Sequence, residues 1–348
     1  MYFDGSGRPL TLGPELGQGG AAVVYTHGVH SNKAVKVFKA HYLQKERSLS
    51  KRLLYLHKLS QQADLSIQMG SQKRSIGSWP QDLVKNRNGE VIGFVMDTFR
   101  DGIDLTHIIF ARDIKTAFYK YRNHRNYQSW LNKFLYRPDL IKNRVILSYY
   151  LATYFEKIYN LKMKDGRPLI LDICNYDIKP QNILVSLDSD MIVPFILDLD
   201  NLTLKNSTGT LTPDHPQITP EYSAPEGPKD KYYDYFSLAV IFYQLILNCH
   251  PFAVYGGTRF TDGTTTDFMV KKMCFAWGRN RKFLTAESQN CVVHGNFRFL
   301  PADIQKLFAR AFDSDLPQNR PSPSEWAVAL RGYLANSGNS INNRFDMP

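Results

Sequence analysis

The rhythm of apolar and polar residues changes along this chain, and the change divides it. Residues 33–38, Lys-Ala-Val-Lys-Val-Phe, alternate with a period of two and predict a strand, with Ala34 and Lys36 on one face. Residues 79–84 and 90–97 predict two more strands around an Asn86-Arg-Asn-Gly89 turn. Ahead of them, residues 16–25 read as a glycine turn with a strand restarting at Val23, Val24 and Tyr25. A helix is expected over residues 41–59, and after Met96 the chain becomes polar and glycine-bearing, which predicts a hinge. Beyond it helices dominate. Residues 144–161 are amphipathic, and residues 234–247 are apolar nearly all round and so should be buried. Shorter helices are expected at 269–277, 303–312 and 324–334. Two short apolar runs, 183–185 and 192–197, predict strand–turn–strand. Residues 199–220 and 256–266 read as loops, the first of them mobile, and the Asn/Ser-rich tail from 335 as a fraying end. The expected class is α+β, with a strand-rich region over 1–99 and a mostly helical one over 100–334 that carries a basic insert at 110–144.

The candidate chemistry gathers between Asn175 and Asn201. Asp177, Lys179 and Asn182 share one tight loop, and a strand–turn–strand would bring Asp198 back beside Asn182. Two carboxylates, an amide and an ammonium around one point are what phosphoryl transfer with Mg²⁺ uses. An aspartate orients the attacking hydroxyl, a lysine meets the migrating phosphate, and an Asn and an Asp hold the metal. D-x-K-x-x-N alone also fits a surface turn, but the strand–turn–strand–Asp that follows favours the catalytic reading. Gly17 and Gly19 would let backbone approach a phosphate, although G-x-G by itself equally marks a plain turn between strands. Lys36, facing inward beside Ala34, requires an anionic partner or ligand. Its alternative is an edge-strand lysine. The helix expected at 41–59 offers it one acid, Glu46.

Composition changes this picture little. A chain of 348 residues is one large or two modest domains, and 43% hydrophobic with 22% charged residues is ordinary for a soluble globular protein. The formal charge of +11 suits acidic partners or ligands and also solubility. Basic residues interleave with Tyr and Trp over 110–144, a nucleic-acid-like texture, but they spread around any helix drawn there, which favours a solvated face over a nucleic-acid partner. The cysteines Cys174, Cys249, Cys274 and Cys291 are scattered, which fits a reducing compartment better than a disulfide framework. Cys291-Val-Val-His294 resembles half a zinc site, with Cys274 as the obvious third ligand, too few for a metal to be expected. The first residues lack signal-peptide regions, and the longest apolar run, 236–247, is too short to span a bilayer. A cytoplasmic location with no membrane partner is expected.

Taken together, the motifs resemble those of the eukaryotic-like protein kinase superfamily over about residues 10–334. They are G-x-G-x-x-A-x-V at 17–24, A-V-K at 34–36, N-Y-D-I-K-P-Q-N at 175–182, D-L-D at 198–200, T-P-E-Y-S-A-P-E at 219–226, D-Y-F-S-L at 234–238 and N-R-P-S at 319–322. In wording they are most similar to bacterial serine/threonine kinases encoded with tellurite-resistance-like proteins. The resemblance implies a bilobal fold and a set of roles. Gly17, Gly19, Val24 and Ala34 would line the nucleotide, with Asp97 and Phe99 at the adenine edge. Lys36 would hold the α- and β-phosphates and pair with Glu46. Asp177 would orient the substrate hydroxyl, Lys179 would contact the γ-phosphate, and Asn182 and Asp198 would hold the metal. Glu226 would pair with Arg320, and Asp234 would anchor the catalytic loop.

Four features depart from that pattern. The third loop glycine is Ala22, and Leu199-Asp200 stands where Phe-Gly is usual. Asn175-Tyr176 replaces the usual His-Arg, which removes the arginine that reads a phosphorylated activation loop. Glu46 follows Lys36 by ten positions, a short spacing. The implied activity is an ATP-dependent protein serine/threonine kinase with Mg²⁺, or Mn²⁺ in its place. Its substrates would be proteins with a Ser or Thr acceptor, and partners from the same gene neighbourhood fit the same resemblance. Two alternatives are a pseudokinase binding module, which the presence of Lys36, Asp177, Asn182 and Asp198 disfavours, and a small-molecule phosphotransferase, which usually lacks the elements at 219–226 and 234–238.

Overall fold

A computed structural model describes every residue except Ile170, Tyr176, 189–190, 207–208, 262–264 and 337–348. Tyr176, Ser207, Thr208 and most of the expected fraying tail therefore lie outside the described residues. The chain forms two compact units, one from Met1–Arg100, Lys157–Asn175 and Phe195–Gln217, the other from Asp101–Glu156, Tyr176–Pro194 and Ile218–Pro348. No helix among the described residues is long and apolar enough to cross a membrane.

The first unit is built on a seven-stranded sheet in the order Pro9–Leu10, Tyr2–Phe3, Asp82–Lys85, Val91–Asp97, Lys33–Phe38, Ala22–His27, Leu12–Gln18. The alternation in Lys33–Phe38 sorts its side chains to two faces. Ala34 and Phe38 join a core with Leu49, Leu53, Phe94 and Met96, while Val35 and Val37 pack with Val84 and Val95. Lys36 shares the first face and is registered between Val24 and Phe94 on the neighbouring strands. The fit there is close: a Cβ on Gly93 would lie 2.1 Å from the Lys36 carbonyl oxygen, so only glycine serves at that crossing. The expected turn after Asn86 is present, with Gly89 at a φ of 80°.

Two expectations for this unit need correction. The helix expected over 41–59 is two helices, Ala40–Lys45 and Leu49–Gln62, interrupted where Glu46 leaves helical geometry at φ −98° and ψ 76°. The loop expected over 199–220 contains two strands, Thr203–Asn206 and Gly209–Leu211, which pair with each other, the first pairing also with Asp172–Cys174. Thr203 and Leu204 are buried, and that tertiary packing overrides the polar texture of the segment. A further hairpin, Ser66–Met69 with Gln72–Ser75, carried no readable signal.

The second unit is mostly helical. Its central helix, Lys231–Leu247, is buried from Tyr233 onward, in keeping with its apolar sequence. It starts where the Asp230 side chain accepts from the Tyr232 N–H, and it stops where Asn248 adopts left-handed geometry at φ 56°. Phe236, Phe242 and Tyr243 of this helix pack on Phe252, Phe308, Phe312 and Trp326. Each such ring contributes about 1.5–3 kcal/mol relative to exposure. The helices Ala302–Phe312 and Pro323–Asn336 fall where the periodicity places them. The expected strands after Asn182 are Ile183–Asp188 and Met191–Ile196, and the first also pairs with Ile103–Asp104. In the basic insert, Arg144 is not a solvated charge. It is fully buried and donates to the carbonyls of Ile108 and Phe134 at 2.6 and 2.8 Å.

Candidate functional site

In the first unit the inward-facing lysine finds its anions on a distant turn. Lys36 Nζ lies 2.9 Å from an Asp198 carboxylate oxygen and 2.7 Å from one of Asp200. Its hydrocarbon surroundings are the rings of Phe38 and Phe94, at 5.3 and 5.7 Å from Nζ. Burial would lower the lysine's pKa, but the two carboxylates outweigh it, so the ammonium is held charged, above its ordinary range. Asp198 takes left-handed backbone at φ 55°, a region that Asp tolerates better than most residues, and opens the short helical turn Leu199–Asn201. That turn carries Asp200 back onto the same ammonium. Asp200 is 1% exposed, and its second carboxylate oxygen has no hydrogen-bond partner among the described residues.

Glu46 is elsewhere. Its two oxygens accept from the backbone N–H groups of Asp214 and His215 at 2.9 and 2.7 Å, and it lies 3.8 Å from the Arg52 guanidinium. Ser48 adds two bonds to the same segment, from its N–H to the Asp214 carboxylate and from its hydroxyl to the Thr212 carbonyl. The expected Lys36–Glu46 pair is therefore corrected: the break after Lys45 turns Glu46 toward residues 214–215, and Asp200 occupies the lysine. Sequence reasoning passed over Asp200, whose one signal was an acid two positions beyond Asp198 where glycine is usual.

The glycine loop is open. A side-chain carbon on Gly17, Gly19 or Gly20 would meet nothing within 4 Å, and neither Gly17 nor Gly19 has positive φ. The fold itself therefore does not demand glycine at either position. Val24 pairs with Lys36 across the sheet and Ala34 is buried beside it. At the expected adenine edge, the Asp97 side chain binds Lys33 and Gln81, while the Phe99 ring stacks on Phe195 at 4.8 Å. The side chains of Asp97 and Phe99 are therefore engaged within the protein, whereas the Thr98 hydroxyl has no hydrogen-bond partner among the described residues.

In the second unit Asp177, Lys179 and Asn182 meet in one loop as expected, and Thr219 joins them. Asp177 is buried; one oxygen accepts from the Thr219 hydroxyl at 2.8 Å and the other from Lys179 Nζ at 2.7 Å. Lys179 also reaches the Thr219 oxygen at 3.3 Å. The Asn182 amide NH₂ donates to the Asp177 carbonyl at 3.0 Å, which leaves its side-chain oxygen as the atom to offer a metal. Such a network fixes a carboxylate beside a hydroxyl and an ammonium, an arrangement able to orient an incoming alcohol and counter phosphate charge. The expected Glu226–Arg320 ion pair forms, with Arg320 Nη2 at 2.8 Å from Glu226, and Asp234 is fully buried. His294 has both ring nitrogens engaged, by the Tyr243 hydroxyl and the Ala253 carbonyl, rather than in a Cys291-based metal site.

Comparison with known proteins agrees with these motifs. Two double-mutant crystal structures of the Mycobacterium tuberculosis PknI kinase domain align at 15% and 14% identity, with a TM-score of 0.48 each. They cover 94% and 93% of this chain and 96% and 95% of theirs. Protein kinase YegI of Escherichia coli (strain K12) is 24% identical over 344 residues, 94% of this chain, and the chain spans 45% of that relative's length. Residues 170–328 match the protein kinase domain family, a stretch that holds Asp177, Lys179, Asn182, Asp198, Thr219, Glu226 and Arg320. The chain is thus similar to eukaryotic-like protein kinases, with residues 170–328 matching the protein kinase domain family.

Proposed function

We propose that the protein transfers the γ-phosphate of ATP to serine or threonine hydroxyls of protein substrates, itself included. The observation that carries this reading is the Asp177–Lys179–Thr219 network, in which a buried carboxylate is already bonded to a threonine hydroxyl and a lysine. Asp177 accepts a hydrogen bond from the incoming alcohol, aligns its oxygen, and receives its proton as the new O–P bond forms and the bond from the γ-phosphorus to the β,γ-bridging oxygen breaks, releasing ADP. Lys179 counters the charge on the migrating phosphoryl group. Lys36 grips the α- and β-phosphates.

Two features support a nucleotide–metal ligand. The open space at Gly17, Gly19 and Gly20 suits backbone approach to phosphates, and the unpartnered Asp200 oxygen beside Asp198 leaves acceptor capacity unused. Asn182 and Asp198 offer hard oxygen donors of the type magnesium takes. Bound there, Mg²⁺ or Mn²⁺ would neutralise phosphate charge. Lys179 and Thr219 follow the serine/threonine pattern rather than the tyrosine one. The free cysteines support action in a reducing, cytoplasmic setting, and a bacterial origin with partners from the same gene neighbourhood fits the motif wording.

The test is phosphoamino-acid analysis of the purified protein and a generic basic protein after incubation with labelled ATP and Mg²⁺. Phosphoserine or phosphothreonine is the expected product. Phosphotyrosine alone, or no protein-bound label, overturns the reading.

A further inference from the structure

The short acid-bearing turn after Asp198 answers a question that the helix does not: what holds Lys36 in place. A buried ammonium needs a fixed counter-charge. Asp200 supplies one at 2.7 Å, is itself 1% exposed, and sits on a turn anchored by the left-handed Asp198. Glu46 is committed in two other directions. Both its oxygens hold the 214–215 backbone, and it is the acid paired with Arg52, which is fully buried with no hydrogen bond to any guanidinium nitrogen among the described residues. Moving Glu46 to Lys36 would strand that guanidinium without its counter-charge, a large penalty inside a protein. The helix face also cannot offer a substitute at position 52, because arginine repels the lysine.

We propose that Asp200 is the positioning residue that holds Lys36 for the nucleotide phosphates, and that Glu46 instead fastens the segment 212–215 to the start of the helix Leu49–Gln62. The role given to Lys36 rests on the kinase reading above; the pairing itself does not. The division of labour is also economical in sequence, since one D-x-D turn supplies both the metal-type carboxylate and the lysine's anchor. Asp200 acts through Lys36 and needs no contact with substrate.

The experiment reads the pairing without using phosphotransfer. Nucleotide-free wild type, Asp200→Asn and Glu46→Gln are treated with an amine-reactive aryl ester, and Lys36 modification is followed by peptide mass spectrometry. Asp200→Asn should raise the Lys36 rate at least fivefold, with Glu46→Gln within twofold of wild type. Amide exchange at Asp214 and His215 should accelerate at least tenfold in Glu46→Gln and stay unchanged in Asp200→Asn. Should Asp200→Asn be poorly folded, denaturant titration of Lys36→Met, Asp200→Asn and the double variant replaces the labelling. The unfolding equilibrium constants should then be coupled at least tenfold, against additive behaviour for Lys36→Met with Glu46→Gln. Equal labelling of Lys36 in the two single variants, or additivity of Lys36 with Asp200, overturns the proposal. Absence of phosphotransfer in the wild type itself would count against the kinase reading alone, because neither readout depends on it.

Discussion

The Asp177 cluster and the Lys36 cluster are both tight knots of charge, yet the chain assembles them in different ways. Asp177, Lys179 and Asn182 lie within six consecutive positions, and a single loop brings them together. Lys36 meets acids 162 and 164 residues away. The first cluster is nearly complete in its own hydrogen bonds; the second leaves a buried carboxylate oxygen without a partner among the described residues. Local geometry is encoded by spacing, so the first could be read from the letters. The second depends on which strand, helix break and turn come together, and spacing says nothing about that. The glutamate that looks nearest to the lysine in sequence belongs to another contact altogether.

The sharpest way to break this comparison is at Asp198, which serves the lysine and, in our reading, the metal. Asp198→Asn should keep its fold and lose phosphotransfer by roughly 10³–10⁵-fold, about 4–7 kcal/mol of barrier. Turnover within tenfold of wild type in a protein with an unchanged melting curve would contradict the assignment.

Lys36→Met probes the unsatisfied side of the second cluster. Removing the ammonium leaves Asp200 buried without its counter-charge, so a stability loss of about 3–5 kcal/mol should accompany the loss of activity. Restoring neutrality with Asp200→Asn in the same chain should return much of that stability and none of the activity. Denaturant titration and a phosphotransfer assay separate the two. Unchanged stability in Lys36→Met would show that the ion pair carries little.

Thr219→Val tests the nearly complete cluster. The substitution keeps the shape and deletes one hydrogen bond to Asp177, so a loss of about 1–3 kcal/mol in transition-state stabilisation is expected, read as a fall in kcat/KM. No change would mean that the Thr219 hydrogen bond contributes nothing to orienting the carboxylate.

These outcomes bear on how much was legible. The α+β class, the buried helix over 231–247, the strand–turn–strand after Asn182 and the Glu226–Arg320 pair all follow from periodicity or motif order. Glu46 does not, because a helix break cannot be seen in a stretch whose letters all suit a helix. The strands at 203–206 and 209–211 were hidden by their polar residues, whose burial is decided by packing elsewhere in the unit. Asp200 was visible as a letter but not as a partner.

The smallest effect is expected in the polar segment before Thr219. Position 176 is Tyr, which offers no cationic fork to a loop phosphate, and the segment is tied by Glu46 and Ser48 without one. Replacing Ser207, Thr208, Thr210 and Thr212 by alanine should leave the initial rate on an external substrate within tenfold of phosphatase-treated wild type, about 1.4 kcal/mol. A larger fall in either protein would reveal a phosphate switch.

The central claim is that Asp177 is the residue around which phosphoryl transfer is organised. Single-turnover transfer from labelled ATP should therefore be compared between wild type and Asp177→Asn, with nucleotide binding and folding measured on the same samples. The account predicts that the variant binds nucleotide and melts as wild type does while transfer falls by at least a thousandfold. Transfer within tenfold of wild type, at matched nucleotide occupancy, would contradict it.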